Sequence, residues 1–373
     1  MKCLPNPWLR PFGLGPLGLD KLWKVQAAEK SKRYPLLMLG DHDRYGDTYA
    51  QWGSLFYVVL TRDPRNLRAI LSKNFKGRFG PYFSTERFTS VLMPIPDYDI
   101  GIVRRGCVAP LLGDSIFTQD GPRWEQSRRQ LAPLLQRSNV LDLEIVEKHF
   151  ERLLSRISLS PNASGDEASS GNVNLKDALF DLSLNIAIEF LLGDPTNVSF
   201  EEKAGESLHW SKPFADELNT AFHWVSKRER LKFFYWIVDG REFRRSCRIC
   251  RDMTEYAIRK LLDNLKNEDI GKGSNAALAP LLRDSIDVEA IRDTFLTLLL
   301  AGRDTTGSLL CWIFYALSRE PDIFTLLKSE TEELLGPGRT RKPTRSDLGR
   351  MKNLDFFISE SMSCVYVQIK ASY

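Results

Sequence analysis

Apolar residues recur at intervals of three and four along most of this chain, and this periodicity restricts its fold more than any other feature. Such spacing places the apolar side chains on one face of a helix. It predicts helices over residues 122–138, 139–158, 175–193, 200–228, 240–268, 287–319 and 321–335. The expected fold class is therefore mainly α, with 43% hydrophobic residues available for a core.

A small β element is expected near the start. Residues 46–60, GDTYAQWGSLFYVVL, hold aromatic and β-branched residues around a Gly-Ser break, which is typical of a hairpin. A helix is expected to follow, because Asp63 can cap it and Pro64 suits its first turn. The polar loop 160–172 lies between helices of like character, so residues 1–373 are interpreted as a single domain.

The charge balance argues against a nucleic-acid partner. The chain has 52 basic and 48 acidic residues, and its net charge of +4 suits an acidic partner or a membrane surface. No stretch has the ~20 apolar residues that cross a bilayer, so no transmembrane anchor is expected in the chain as written. The Cys247 and Cys250 pair is interpreted as reduced and structural, since neither a second pair nor a nearby histidine accompanies it.

One predicted helix interrupts its apolar pattern with polar residues, in LLLAGRDTTGSLLCW at residues 298–312. On a continuous helix, small and hydroxyl-bearing side chains there would share one stripe. That stripe comprises Thr294, Thr297, Leu298, Ala301, Asp304, Thr305 and Ser308. A threonine can bond back to a carbonyl one turn earlier and bend the axis. An acid and an alcohol on such a helix could make room for a small ligand and supply protons to it.

A helix end is the alternative explanation of the same residues. Gly302 would then be the C-cap of one helix, and Asp304 would cap the next. The residues of the motif alone do not decide between a continuous helix and this helix end.

Four segments in collinear order resemble a known family, the cytochrome P-450 superfamily of heme-thiolate monooxygenases. AGRDTT matches the (Ala/Gly)-Gly-x-(Asp/Glu)-Thr-(Thr/Ser) pattern of its long central helix, and FTQDGPRWEQSRRQLAPLL resembles its helix with Trp-x-x-x-Arg. EPDIFTLLKSETEELLG and LGRMKNLDFFISESM look like the two helices after the central one. PLLGDSIFTQDG is similar to the fungal branch that hydroxylates alkanes and fatty acids. The resemblance covers most of the chain and implies the helical fold of that family.

The resemblance implies a heme cofactor and residues that would hold it. Trp124 and Arg128 would meet the heme propionates, with the guanidinium making a charge-assisted bond to a carboxylate. Ala301 and Gly302 would leave space over the iron.

The resemblance also implies a reaction. Asp304 and Thr305 would organise proton delivery at the iron. The reaction inserts one oxygen atom into a C–H bond of a small lipophilic substrate, such as a fatty acid, an alkane or a secondary metabolite. Electrons would come from an NADPH-cytochrome reductase, and a complete family member would lie on the cytosolic face of the endoplasmic reticulum membrane.

The resemblance breaks near the C-terminus. The family's cysteine loop, Phe-x-x-Gly-x-Arg-x-Cys-x-Gly, is absent, and Cys364 lacks that setting. Glu360 occupies the first position of the family's structural Glu-x-x-Arg pair, but Ser363 stands where the arginine belongs. Residues 363–373 are therefore interpreted as an off-pattern tail of a C-terminally truncated domain. Without the axial thiolate, the chain is expected not to hold heme productively.

Two further interpretations follow from these departures. Residues 77–96 interrupt a segment in which 75–76 would join 97–101 naturally, so they are interpreted as a retained intron, with a genuine surface insertion as the alternative. The alternative to a monooxygenase is a noncatalytic paralogue, or a helical remnant that binds a lipid or a partner.

Overall fold

The computed structural model confirms a mainly helical fold with a small sheet. It describes residues 24, 27–28, 31, 33–53, 56–68, 101–135, 143–158, 173–193, 211–267, 277–284, 287–338 and 341–368. The chain divides into two compact units. One unit comprises Met1–Cys107, Arg228–Ile237 and Val367–Tyr373, and the other comprises Val108–Lys227 and Val238–Tyr366. The proposed insertion at 77–96 lies outside the described residues, and the single-domain interpretation stays a prediction.

The first unit contains the predicted hairpin. Its elements are α1 (Tyr34–Tyr45), β1 (Thr48–Gly53), β2 (Phe56–Thr61) and α2 (Pro64–Arg68). The two strands are antiparallel, and the paired Thr48 and Thr61 share a hydrogen bond of 2.7 Å between their hydroxyls. The predicted cap is also confirmed, because Asp63 Oδ1 accepts a hydrogen bond of 2.8 Å from the Arg65 amide.

Between residues 121 and 335 most of the remaining helices agree with those that periodicity predicts, and residues 136–142 and 200–210 of the predicted helices lie outside the described ranges. The remaining helices are α3 (Gly101–Leu112), α4 (Gly121–Leu131), α5 (Leu143–Ser158), α6 (Leu175–Leu192), α7 (Ser211–Leu231), a 3₁₀ segment (Lys232–Val238), α8 (Arg241–Asn267), α9 (Ala279–Asp284), α10 (Val288–Arg319), α11 (Pro321–Leu335), α12 (Arg345–Arg350) and α13 (Lys352–Gln368). Periodicity missed α3, because Gly101, Gly106 and Pro110 are helix breakers by propensity. None of the helices in the described ranges is long and apolar enough to cross a membrane.

The central helix of the second unit is α10, which packs against α6 and α8. Phe295, Leu296 and Leu299 of α10 are fully buried. Gly307 allows α10 and α6 to approach closely, since a Cβ there would lie 3.0 Å from the Phe180 ring. Helix α5 packs against α6.

A buried polar cluster joins α5 to α6. His149 is 5% exposed, and its Nε2 lies 2.7 Å from Glu189 Oε2. Lys148 Nζ donates a 2.7 Å hydrogen bond to the other carboxylate oxygen of Glu189. Burial lowers the pKa of His149, the neighbouring Lys148 and Arg152 lower it further, and the Glu189 carboxylate opposes that shift. The net lowering means that folding favours the neutral imidazole.

This shift predicts a loss of stability in mild acid. Because the folded state holds His149 neutral, its contribution is present above the unfolded pKa of about 6.5 and is lost as pH falls toward the folded pKa. We expect His149→Gln to remove this part of the pH dependence as pH falls below about 6.5. Urea unfolding at several pH values measures it. The exposed His223→Gln is the control and should retain the wild-type profile; equal pH profiles for all three proteins would contradict the assignment.

Candidate functional site

The AGRDTT motif lies inside one continuous helix. Helix α10 begins after Asp287, whose Oδ1 accepts hydrogen bonds of 3.1 Å from the amides of Glu289 and Ala290, and it ends at Arg319. The alternative in which Gly302 ends one helix and Asp304 caps another is therefore wrong. The expected back-bond is present, because Thr305 Oγ1 donates a hydrogen bond of 2.6 Å to the Ala301 carbonyl.

The predicted stripe is divided between a buried and an exposed edge. Thr297 and Asp304 are buried, whereas Ala301 and Thr305 are exposed. Each residue turns the helix by about 100°, so the stripe covers a broad arc of its surface. The edge with Thr297 and Asp304 lies on the packed side of α10, whereas the edge with Ala301 and Thr305 is exposed. The acid and the alcohol are thus neighbours in sequence but differ in exposure.

Gly302 faces another helix and not the exposed edge. A Cβ at this position would lie 3.4 Å from Ala187 Cβ on α6. Ala301 is exposed, and the expectation that Ala301 and Gly302 leave space above a ligand stays a prediction. An alanine in place of Gly302 would make an ordinary van der Waals contact with α6.

Arg303 compensates the buried acid of the motif. Its side chain is only 4% exposed, and its Nη1 lies 3.6 Å from Asp304 Oδ1. Nη2 donates a hydrogen bond of 2.6 Å to Asn219 Oδ1 on α7, and the guanidinium lies 5.6 Å from the Phe180 ring centroid. Ser183 Oγ donates a hydrogen bond of 3.0 Å to the Arg303 carbonyl. The role of Arg303 was not predicted from the sequence, although a charge within an apolar helix was the available signal.

Trp124 and Arg128 form a pair on α4, as their spacing predicts. The guanidinium carbon of Arg128 lies 5.2 Å from the centroid of the Trp124 ring, within the range of a cation–π contact. Trp124 is half-buried and Arg128 is exposed. The indole therefore orients a cation that remains accessible to an anionic group.

Glu360 lies on α13 with an exposed side chain. Within the described part of the chain, no cation pairs with its carboxylate. Ser363, which stands in place of the family's arginine, donates a hydrogen bond of 2.8 Å to the Glu360 carbonyl. The structural role expected for Glu360 stays a prediction. Helix α13 continues to Gln368, so part of the off-pattern tail is helical.

A second carboxylate on α10, Asp293, was not found from the sequence. It is buried, and its two oxygens accept hydrogen bonds of 2.9 Å from the Asp114 amide and 3.0 Å from Arg292 Nε. Burial raises the pKa of Asp293 despite these donors. Gly113, with φ at +57°, places the turn after α3 directly against this carboxylate. The contact joins positions 179 residues apart, so no local pattern announces it.

The described cysteines do not fit the axial ligand of a heme-thiolate centre. Cys107, Cys247 and Cys250 are buried. Burial raises the pKa of Cys107 to about 11 and also raises the pKa of Cys250 and of Cys311. A thiolate ligand needs the opposite shift. Among the described residues Arg128 and Ala301 are exposed, and their expected roles toward a heme stay predictions; the described cysteines supply no axial ligand.

Comparison with known proteins shows relatives from fungi. Cytochrome P450 52A13 of Debaryomyces hansenii is 30% identical over 324 residues, which cover 85% of this chain and 57% of that protein. Cytochrome P450 52A3-B of Candida maltosa is 27% identical over 363 residues, covering 95% of this chain and 64% of that protein. Cytochrome P450 monooxygenase g430 of a Fusarium species is 30% identical over 332 residues, covering 86% and 54%. The chain therefore spans between 54% and 64% of the length of these relatives.

A structural comparison and a family model lead to the same family as these relatives. The crystal structure of the cytochrome P450DA heme domain matches 85% of this chain and 62% of its own chain, with a TM-score of 0.61 and 19% identity. That likeness shows a common fold. The sequence model of the Cytochrome P450 family matches residues 105–363, which is more than half of the chain. The chain therefore belongs to the Cytochrome P450 family.

Proposed function

We propose that this chain contributes the heme-facing helices of a monooxygenase that inserts one oxygen atom into a C–H bond of a lipophilic substrate. The observation that carries the proposal is the divided motif on α10. It presents Ala301 and Thr305 on an exposed edge and keeps the ionisable Asp304 immediately behind it. A small residue and a hydroxyl on the exposed edge, with an acid behind them, suit a site that binds a small ligand and supplies it with protons.

Thr305 would be the last group of the proton path. Its proton is donated to the Ala301 carbonyl, so the lone pairs of Oγ1 accept a hydrogen bond from a donor on the exposed edge. Asp304 would exchange protons with that hydroxyl. Because Asp304 is buried beside Arg303, it reaches the exposed edge only by moving away from the guanidinium. Arg303 would therefore set how readily Asp304 takes part.

Trp124 and Arg128 would bind the heme propionates. Arg128 supplies the donors of a charge-assisted hydrogen bond, and the contact with the Trp124 ring limits the orientations of its guanidinium. When bound, heme supplies the oxidising chemistry of the family. The described cysteines leave the axial thiolate unassigned.

Substrate, partner and location follow from the family resemblance. A fatty acid or an alkane is the proposed substrate class, because PLLGDSIFTQDG is similar to the fungal branch that hydroxylates such chains. An NADPH-cytochrome reductase is the proposed electron donor. The cytosolic face of the endoplasmic reticulum membrane is the proposed location.

A hemin titration of the purified chain tests the propionate assignment. We expect saturable binding through the propionates, without the Soret signature of a thiolate-bound heme. Arg128→Gln should weaken it at least tenfold, because a hydrogen bond to a charged group contributes about 1.5–3 kcal/mol. The Soret absorbance and the quenching of tryptophan fluorescence measure the dissociation constant. Arg123→Gln removes the same charge from another face of α4 and should leave binding unchanged. Absence of saturable binding would overturn the proposal and favour a noncatalytic helical protein.

A further inference from the structure

A basic cleft lies between the end of α3, one face of α8 and the first turns of α10. Its volume is about 340 Å³, near the lower end of small-molecule sites at about 300–1,000 Å³. Arg244, Arg248, Arg251 and Arg292 line it. The first three follow one another on α8 at intervals of four and three residues, so their side chains share one helix face.

Two of the four guanidiniums are already paired with carboxylates. Arg244 donates from Nε to Asp239 Oδ2 at 3.1 Å, and a second donor of the same fork reaches that oxygen. Arg292 donates to Asp293 at 3.0 Å and to Glu255 at 3.3 Å. Its side chain is buried in the wall, where a charge acts through a lower dielectric than in water.

The N–H donors of the other two guanidiniums make no hydrogen bond with a described residue. Arg248 has no hydrogen bond or ion pair with any residue that the structure describes. Arg251 makes no hydrogen bond in the same part of the chain, and its nearest carboxylate oxygen, Asp293 Oδ1, is 3.8 Å away. A separation of 3.8 Å is too long for a hydrogen bond, so Asp293 does not take up the donors of Arg251. Arg248 and Arg251 therefore present unused donors one turn apart.

The rest of the lining decides what kind of anion fits. Asp252 is the one carboxylate among the lining residues, four positions from Arg248. Pro110 and Cys247 add apolar surface to the wall. A ligand with an organic part could contact that surface while its charged group meets the arginines. Guanidinium forks match the geometry of both carboxylate and phosphate, and the additional oxygens of a phosphate allow two guanidiniums to bind it from separate positions.

We propose that this cleft binds the phosphate group of an organic phosphate, held chiefly by Arg248 and Arg251. The assignment is independent of the monooxygenase function, because none of the residues assigned to heme or to proton transfer lines the cleft. A soluble phosphate ester and a phospholipid headgroup carry the same group, and the experiment separates these two sources.

The test uses the purified full chain and two probes. Phenyl phosphate is titrated by calorimetry at low salt, and phosphatidylcholine vesicles with and without phosphatidic acid are sedimented with the protein. We expect saturable binding to at least one probe, weakened at least tenfold in the Arg248→Gln, Arg251→Gln double variant. Arg319→Gln with Arg350→Gln removes the same charge from exposed positions on α10 and α12 and should leave binding unchanged.

The two probes separate a soluble phosphate ester from a phospholipid headgroup. Binding of phenyl phosphate assigns the site to soluble esters, whereas binding only to vesicles with phosphatidic acid assigns it to a headgroup; both require the loss in the Arg248 and Arg251 variant. No binding to either probe, or an equal loss in both double variants, would overturn the site. Circular dichroism spectra of the variants confirm that each chain is folded. A failed hemin titration would leave this result unaffected, since the two experiments share no residue.

Discussion

Replacement of Gly113 by alanine is expected to destabilise the chain by about 3–5 kcal/mol. Gly113 has φ at +57°, where an L-residue costs about 1–2 kcal/mol. A Cβ at this position would also overlap the Asp293 carboxylate. That carboxylate would have to leave the Asp114 amide and Arg292, which would leave a buried guanidinium with weaker compensation. Urea unfolding followed by circular dichroism measures the loss.

Gly121→Ala is the matched control for this substitution. Gly121 has a similar φ of +61°, but no atom lies within 4 Å of a Cβ built there. It should therefore cost only the about 1–2 kcal/mol of the left-handed backbone. Equal losses at Gly113 and Gly121 would show that the backbone conformation decides and that contact with Asp293 contributes nothing. A larger loss at Gly113 assigns the excess to the buried carboxylate.

Replacement of Arg303 by methionine is expected to cost about 3–5 kcal/mol, because removal of one partner of a buried ion pair leaves the Asp304 carboxylate with weaker compensation. Arg303 is 4% exposed and Asp304 is 8% exposed, so water does not replace the lost guanidinium readily. Methionine keeps an apolar stem against Phe180, which limits the cavity left by the substitution. The change in the free energy of unfolding is the measurement.

The double variant Arg303→Met, Asp304→Asn separates charge from packing. If the loss in Arg303→Met comes from weaker compensation of the Asp304 carboxylate, the neutral amide should recover most of it. A double variant as unstable as the sum of the two single variants would contradict this, and the loss would then belong to the hydrogen bond with Asn219 and the contact with Phe180.

Most of the helical scaffold could be predicted from the sequence. Periodicity placed α11 at its observed bounds, Pro321–Leu335, and placed α10 within one residue of its observed start. The hairpin and the Asp63 cap were also predicted, since turn and cap residues act on the backbone within a few positions. Gly and Pro within α3 misled the same reasoning, because tertiary packing overrides weak local propensity.

The candidate site could be located from the sequence, but its arrangement could not be predicted. The AGRDTT and Trp-x-x-x-Arg motifs identified α10 and α4, and the second motif brings Trp124 and Arg128 into contact as expected. The stripe on α10 was defined by spacing, which states which residues share an arc of the helix. It does not state how far a neighbouring helix covers that arc. Hence Ala301 and Gly302 were grouped in the sequence and lie toward different surroundings in the fold.

By itself, then, the sequence determined the positions of the helices, the hairpin and the family motifs, because those depend on residues within a few turns of one another. Only the tertiary structure decided that Arg303 meets Asn219 from 84 positions away and that His149 meets Glu189 from 40 positions away. It also turned arginines of α8 and α10 toward one cleft. Such contacts depend on how helices remote in the sequence pack together, and the periodic pattern of one helix shows which face is buried but not which helix covers it.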